Sequence, residues 1–133
     1  MRAVFLDTVG LLALWDIRDQ WHSEAEMAFA KTIQAGVRFY ATELVFAECA
    51  NAASRSNFRP SVADMRNGMA AAGAILHPTD LELAEAWAQY RQNAAGQPGI
   101  VDLLSFAVMR RFNIIEAFTN DRHFKTAGFT TLF

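Results

Sequence analysis

Ala3-Val4-Phe5-Leu6-Asp7 is the stretch that decides the fold of this chain of 133 residues. Four consecutive apolar residues that end at an acid are typical of a strand buried on both faces, as in a parallel sheet. Similar short runs predict further strands at 37–41, 75–77, 114–119 and 129–133. Because helical patterns separate these runs, we expect a three-layer α/β/α fold with a mostly parallel central sheet of about five strands.

Helical periodicity fills the intervals between these strands. Helices are predicted over 11–15, over 20–35, after an N-cap at Thr42, for about ten residues from 57–61, over Asp80–Asn93 and over 101–112. Two of them carry apolar stripes that we expect to face inward. The stripes are Trp21, Ala25, Ala28, Phe29 and Ile33 on the helix over 20–35, and Leu83, Ala84, Trp87 and Tyr90 on the helix after Thr79.

The composition predicts one compact domain over residues 1–133. Hydrophobic residues make up 53% of the chain, against three prolines and seven glycines, which leaves no room for a long disordered tail. No apolar run approaches the roughly 18 residues of a membrane span, and Asp7 interrupts the N-terminal run too early for a signal peptide. The single cysteine, Cys49, is expected to be a small half-buried thiol. We therefore expect a cytoplasmic protein without a membrane partner.

The charge balance does not point to a simple electrostatic binder of nucleic acid. Twelve basic residues face fourteen acidic ones, a net charge of −2, whereas such binders are usually basic. One segment differs from the whole. Between Glu48 and Asp80 there is a single acid, Asp64, and three arginines, Arg55, Arg59 and Arg66. We expect Arg55 and Arg59 to lie along a nucleic-acid backbone.

Acidic residues follow the predicted strands at the positions where α/β enzymes carry their functional groups. Asp7 ends the first strand, and Asp121 comes two residues after the fourth. In doubly wound sheets, ligands bind beyond the carboxyl ends of the strands, where the strand order reverses. Asp102 stands in the first turn of the helix that follows the glycine-rich loop 95–99, and Glu48 lies near the middle of the helix after Thr42.

Glu48 and Asp102 both have apolar neighbours, which predicts that their carboxylates are buried. Leu44 and Ala52 lie one turn to either side of Glu48, and no lysine or arginine occurs between Arg38 and Arg55. A buried carboxylate needs a partner, and several carboxylates without counter-charges raise each other's proton affinity. A hard divalent cation with oxygen ligands, Mg²⁺ or Mn²⁺, would resolve the repulsion.

Each acid also has a structural alternative when taken singly. Asp7 would cap the following helix, Asp102 would interact with a helix dipole, and Asp121 would serve in a turn. Glu43 is expected to be an exposed acid of a first helical turn. His123 is expected to form a structural hydrogen bond rather than to ligate a metal, because no second histidine lies at ligand spacing.

Four blocks of sequence resemble the PIN-domain family, and in size the chain resembles its VapC-type toxins. The blocks are Phe5-Leu6-Asp7-Thr8, Thr42 to Glu48, Ile100 to Ala107, and Thr119-Asn120-Asp121-Arg122-His123-Phe124. The resemblance implies a PIN-like fold and a metal-dependent endoribonuclease with Mg²⁺ or Mn²⁺, acting as the toxin of a toxin–antitoxin pair. It also implies RNA as substrate, a cognate antitoxin as partner, and a homodimer.

The same resemblance implies an acidic site on Asp7, Glu48, Asp102 and Asp121, with Thr119 beside it. Asp7 and Asp102 are the expected metal ligands, and Glu48 and Asp121 are further candidates. Val9 departs from the family, which commonly has a small polar residue there, and this bears on metal affinity. Two alternatives stay open: a catalytically silent PIN-like binding or regulatory module, and a housekeeping PIN nuclease.

Overall fold

The computed structural model describes residues 2–133, in which one or two helices separate each of five strands from the next, seven helices in all. The strands are β1 (Ala3–Leu6), β2 (Arg38–Thr42), β3 (Ile75–Leu76), β4 (Glu116–Phe118) and β5 (Thr130–Thr131). The helices are α1 (Thr8–Trp15), α2 (His22–Gln34), α3 (Glu43–Ala52), α4 (Arg59–Ala71), α5 (Asp80–Gln92), α6 (Ile100–Arg111) and α7 (Arg122–Thr126). None of these helices is both long and apolar enough to cross a membrane.

The five strands form one sheet in the order β3-β2-β1-β4-β5, and every pairing is parallel. This confirms the predicted central sheet. Phe5 on β1 is in register with Tyr40 on β2 and with Ala117 on β4. The chain first moves outward from β1 to β3 and then crosses to β4 on the other side. Right-handed crossovers therefore put α1–α4 on one face and α5–α7 on the other, with the switch point between β1 and β4.

The core explains why the first strand dominates the fold. Val4, Phe5 and Leu6 are buried on both faces of the sheet, as their continuous apolar run predicts. Helix α1 packs closely on β4 because Gly10 has no side chain. A Cβ at this position would collide with the backbone carbonyl of Phe118. The close approach brings the beginning of α1 next to the end of β4.

Most element boundaries agree with the sequence-based prediction to within a few residues, and α7 is the element that the prediction missed. Asp121 caps this helix by accepting a hydrogen bond from the backbone N–H of His123. Five residues are too few to show a helical apolar period, which explains the omission. The predicted cap of α3 is confirmed, since Thr42 accepts from the N–H of Val45. Thr79 caps α5 in the same way and forms a capping box with Glu82.

The inward orientation predicted for part of two apolar stripes is wrong. On α5, Trp87 and Tyr90 are 53% and 48% exposed and stack edge-to-face on each other, and Ala84 is exposed too. The residues that turn toward the core are Leu83 and Ala86. On α2, Ala25, Ala28 and Phe29 face inward as expected, whereas Trp21 and Ile33 lie exposed at its two ends. Periodicity defines a stripe about a hundred degrees wide, but the neighbouring helix decides which of its edges is covered.

Candidate active site at the carboxyl edge of the sheet

Asp7 is held at the switch point by groups from β4. Its side chain is almost fully buried, and its Oδ2 accepts a hydrogen bond of 2.8 Å from the hydroxyl of Thr119, which is buried as well. The backbone N–H of Asp7 also donates to the carbonyl of Phe118. Asp7 is the N-cap residue of α1, yet its side chain makes no capping hydrogen bond. Capping therefore does not explain why an acid occupies this position.

The hydrogen bonds continue from Thr119 to Asp121 and His123. The N–H of Asp121 donates to Thr119 Oγ1 at 3.1 Å, and Asp121 Oδ1 accepts from the N–H of His123 at 2.9 Å. The role of a turn residue thus applies to Asp121, which caps α7 through one carboxylate oxygen. The other oxygen, Oδ2, takes no part in these bonds and is available to a ligand.

Asp102 approaches the same place from the first turn of α6. Its Oδ2 lies 3.8 Å from Nδ1 of His123, whose Nδ1 is also 3.4 Å from Asp121 Oδ1. One potential ligand atom from each of Asp102, Asp121 and His123 lies within 4.8 Å of the others, so the three form a group that could hold a metal ion. An acid on a helix, Asp102, thus joins the acids that follow the strands.

The imidazole of His123 has a definite orientation. Its Nε2 lies 3.0 Å from the carbonyl oxygen of Gly96, which agrees with the structural hydrogen bond predicted for this residue. Since a carbonyl only accepts, Nε2 carries the hydrogen. Nδ1 therefore turns either a second proton or a lone pair toward the acids, and in the neutral ring it is a potential metal ligand. The spacing of the histidines does not predict that His123 is a potential ligand. Its position two residues after Asp121, however, indicates that it lies near the acids.

Burial and mutual repulsion raise the proton affinity of the acids. The pKa of Asp7 is raised to about 7, first by burial and then by the charge of Asp102, against a lowering by the Thr119 hydrogen bond. The pKa of Asp102 is raised to about 6 by burial and by the charges of Asp121 and Glu48, and His123 opposes this. The four carboxylates thus act on one another as a single cluster of like charges.

Glu48 lies at the rim of the cluster, and the prediction that it is buried is wrong. The side chains of α3 that point into the core are Val45, Phe46 and Cys49. Glu48 is exposed, and its Oε1 accepts a hydrogen bond of 2.6 Å from the hydroxyl of Thr8. The apolar neighbours Leu44 and Ala52 misled the prediction, because Leu44 is only half-buried and Ala52 is exposed. Glu48 nevertheless stands close enough to raise the pKa of Asp102.

The donor set fits a divalent cation. Within residues 2–133, the ion pairs of lysine and arginine engage other acids, namely Glu116, Asp16, Glu43 and Glu82. Asp7, Asp102 and Asp121 therefore converge with no basic side chain beyond His123 to neutralise them. Carboxylate oxygens are the ligands preferred by Mg²⁺ and Mn²⁺, and a bound cation would reverse the upward pKa shifts.

Cys49 lies behind the acids but carries no chemistry of its own. Its side chain is fully buried, whereas the sequence predicts a half-buried thiol. Burial raises the pKa of the thiol to about 12, with further contributions from the charges of Asp7 and Glu48. A thiol with this pKa is neutral and unreactive near neutral pH.

The two arginines predicted to contact RNA, Arg55 and Arg59, line two different depressions. Arg59 donates to the carbonyl of Ser54 and lines a groove between α3 and α4. Arg66 lines the same groove and pairs at 3.1 Å with Glu43, which is an exposed first-turn acid as predicted. Arg55 instead lines a cleft beside Trp15 and Phe58. Val9, the departure from the family pattern, is 39% exposed.

Comparisons with known proteins agree with this architecture. Residues 4–130 match the family model described as PIN domain. Among solved structures, the chain is similar to VapC20 of Mycobacterium tuberculosis, a toxin that cleaves the sarcin–ricin loop. The TM-score is 0.76 at 23% sequence identity, and the match covers 96% of each chain. No curated protein matches the sequence significantly. The structural likeness confirms the predicted α/β/α fold over nearly the whole chain.

Proposed function

The chain belongs to the PIN domain family, and from this premise we propose that it is a metal-dependent endoribonuclease acting as the toxin of a toxin–antitoxin pair. One observation carries the proposal. Asp7, Asp102 and Asp121 converge at the switch point of the sheet without a lysine or arginine among them in residues 2–133. The structural likeness to a toxin that cleaves an RNA loop supports RNA as the substrate.

In this proposal Asp7, Asp102 and Asp121 hold the metal, with His123 and Glu48 at its margin. When bound, Mg²⁺ or Mn²⁺ supplies an activated water and stabilises negative charge on the scissile phosphate. The hydroxyl of Thr119 orients the Asp7 carboxylate through their hydrogen bond of 2.8 Å. Burial of Asp7 excludes bulk water from the inner side of the site.

Glu48 has a different role from the buried acids. Its carboxylate is exposed and is held by the hydroxyl of Thr8. An exposed carboxylate at the rim reaches incoming water and accepts its proton during attack on phosphorus. The site thus divides into buried ligands and a solvent-facing base.

The test of this mechanism is RNA cleavage with and without a chelator. We expect EDTA to abolish cleavage and an excess of Mg²⁺ or Mn²⁺ to restore it. Asp7→Asn and Asp102→Asn should both lose activity, whereas Asp64→Asn, at an exposed acid of α4, is the matched control and should keep it. Full cleavage in EDTA, or by either site variant, would contradict the metal mechanism. A folded chain that neither binds Mn²⁺ nor cleaves RNA would instead be a silent binding module.

We further propose that Arg55 and Arg59 bind the RNA backbone. Both side chains are exposed, and their segment carries one acid only. Arg55→Ala combined with Arg59→Ala should weaken RNA binding and reduce the slope of log K against log salt by roughly 0.7 per lost phosphate contact. Arg91→Ala, an exposed arginine on α5, is the control. An unchanged salt slope would remove these arginines from the RNA surface.

The remaining proposals concern partners and place of action. We expect a homodimer, for which the exposed aromatic pair Trp87 and Tyr90 offers a surface, and a cognate antitoxin whose basic side chain pairs with the carboxylate cluster. We expect the protein to act on RNA in the cytoplasm. Light scattering tests the dimer.

A growth experiment tests the toxin role. Expression of the wild-type chain alone should slow growth, whereas expression of Asp7→Asn should not. Equal growth with the two chains would contradict the toxin role.

A further inference from the structure

A cavity of about 340 Å³ lies directly beside the acidic site, among α5, α6 and α7. His123 belongs to both, because its Nδ1 faces Asp102 and Asp121 while the residue also lines the cavity. Three side-chain amides line the same space, and we call it the amide pocket: Gln89, Asn93 and Gln97. Its volume lies at the lower end of the range for small-molecule sites, which suits a ligand the size of a nucleobase.

Arg110 lies in the wall of the amide pocket, where three contacts orient its guanidinium. Its guanidinium lies 5.9 Å from the ring centre of Phe106 and 5.4 Å from that of Phe129, and it donates to the carbonyl of Ala127 at 3.2 Å. It forms no ion pair within residues 2–133. Spare N–H donors on a fixed, planar group are preorganised for a planar acceptor.

Gln89 and Gln97 are exposed and Asn93 is half-buried, so a ligand can replace water on all three amides. The hydrogen bonds around the pocket engage Arg110 and His123 with backbone carbonyls, and none within residues 2–133 engages the side chains of Gln89, Asn93 or Gln97. The apolar residues that line the pocket are Pro98, Leu103, Phe106 and Ala127. Apolar walls combined with free amides and a guanidinium match a flat heterocycle with a polar edge.

The chemistry of these donors favours a purine. Arginine pairs with O6 and N7 of guanine, and asparagine or glutamine pairs with N6 and N7 of adenine. Both patterns use the N7 edge, which pyrimidines lack. RNA loops are recognised through splayed-out bases whose edges are free for such contacts. Since His123 joins the pocket to the acids, a base bound there is next to a phosphate bound at the acids.

We propose that the amide pocket binds a purine base adjacent to the scissile phosphate, and that Arg110 and the three amides select it. The inference rests on the proposed nuclease function and adds a specificity site to it. Specificity then comes from residues of α5, α6 and the loop between them, whereas the chemistry comes from the acids at the sheet edge.

A binding experiment tests the pocket without requiring activity. The side-chain NH₂ signals of the full chain are followed by ¹⁵N NMR in Mg²⁺ during titration with each of the four nucleoside 5′-monophosphates. We expect the purine nucleotides to move the signals of Gln89, Asn93 and Gln97, and the pyrimidine nucleotides to move them less. Gln92, an exposed amide on the same helix outside the pocket, is the internal control. Unmoved pocket signals, or equal shifts with pyrimidines, would overturn the proposal.

A cleavage experiment tests selection. Single-stranded oligoribonucleotides that differ in one base beside the cut are compared through the ratio of kcat/KM for purine over pyrimidine. We expect Gln89→Ala with Asn93→Ala to lower this ratio about 10-fold, and Gln92→Ala to leave it unchanged. Arg110→Lys should lower the preference for guanine over adenine, because lysine loses the bidentate geometry. A ratio is unaffected by the amount of folded enzyme, so partial unfolding of a variant cannot imitate the result.

The two experiments separate failure of this inference from failure of the proposed function. If the wild type cleaves RNA and the purine ratio is the same in the pocket variants, the selection by the amide pocket is wrong and the nuclease stands. If the wild type cleaves no RNA in Mg²⁺ or Mn²⁺ while the purine shifts are seen by NMR, the nuclease function is wrong, and with it the assignment of the pocket to a scissile phosphate.

Discussion

The candidate site has two halves that differ in how the fold holds them. Asp7, Thr119 and Asp121 follow β1 and β4 and are joined by a continuous series of buried or half-buried hydrogen bonds. Glu48 and Asp102 project from helices α3 and α6, and within residues 2–133 neither receives a hydrogen bond from a strand residue. The strand-borne half is positioned by the sheet itself, whereas the position of the helix-borne half depends on how each helix packs.

This difference separates structural support from chemistry. The strand-borne half contains the most deeply buried acid, Asp7, and the hydroxyl that orients it. The helix-borne half contains the acid most open to solvent, Glu48. A site that binds a cation and also admits a long substrate needs both: a rigid inner side for the ligand geometry and an accessible rim for the phosphate and the water.

The largest expected effect concerns the stability of the metal-free protein at different pH values. Asp7 has a pKa of about 7 in the folded protein, against about 3.9 in an unfolded chain. Because the folded state binds this proton more tightly, its stabilising effect is complete below pH 4 and is lost as the pH rises through 7. Three pKa units correspond to about 4 kcal/mol. In EDTA, the free energy of unfolding should therefore fall between pH 5 and pH 8.

The contribution of Asp7 is isolated by comparing pH slopes. Urea unfolding in EDTA at pH 5 and pH 8 should show a clearly smaller loss for Asp7→Asn, since the amide resembles the protonated acid, and an unchanged loss for Asp64→Asn. Mg²⁺ should offset the loss in the wild type at pH 8, because it binds the folded state only. Equal slopes for the wild type and Asp7→Asn would show that the raised pKa of Asp7 does not cause the loss of stability.

The second prediction tests how the strand-borne half is held together. Gly10→Ala places a Cβ against the carbonyl of Phe118, so α1 must move away from β4. We expect a loss of about 1–3 kcal/mol in the free energy of unfolding and a loss of Mn²⁺ affinity, because Asp7 and Thr119 separate. Gly68→Ala, in open space on α4, is the control, and it should gain up to about 1 kcal/mol. Equal effects of the two substitutions on unfolding would contradict the close packing.

The sequence predicts the strand-borne half of the site better than the helix-borne half. Asp7 and Asp121 were located correctly at one sheet edge, because a buried parallel strand ends where its apolar run ends and all carboxyl ends meet at the same edge. The fold class followed from the alternation of such runs with helical patterns. These inferences need only the chain direction and the burial of β1, which the run Val4-Phe5-Leu6 encodes directly.

The helix-borne features were harder to predict because periodicity leaves the rotation of a helix undetermined. Glu48 proved to be exposed although its neighbours at i±4 are alanine and leucine, and Trp87 and Tyr90 on α5 turn outward although they continue an apolar stripe. His123 beside the acids and the hydrogen bond from Thr8 to Glu48 depend on tertiary packing alone. Thr8 and His123 nevertheless lie within two positions of Asp7 and Asp121, and this closeness in sequence indicates that they belong to the site.

The third prediction compares the two hydroxyls that support the two halves. Thr119→Val removes a buried hydrogen bond to a carboxylate, which contributes about 1.5–3 kcal/mol, whereas Thr8→Val removes one to an exposed carboxylate, where water replaces the donor. Thr119→Val should therefore lower the free energy of unfolding at pH 8 and weaken Mn²⁺ binding. Thr8→Val should change unfolding by less than about 0.5 kcal/mol and act on the cleavage rate instead. Valine keeps the volume of threonine, so the packing is matched in both. Equal losses of stability and metal affinity in the two variants would show that the halves are held alike, and that burial of Asp7 does not set the strand-borne half apart.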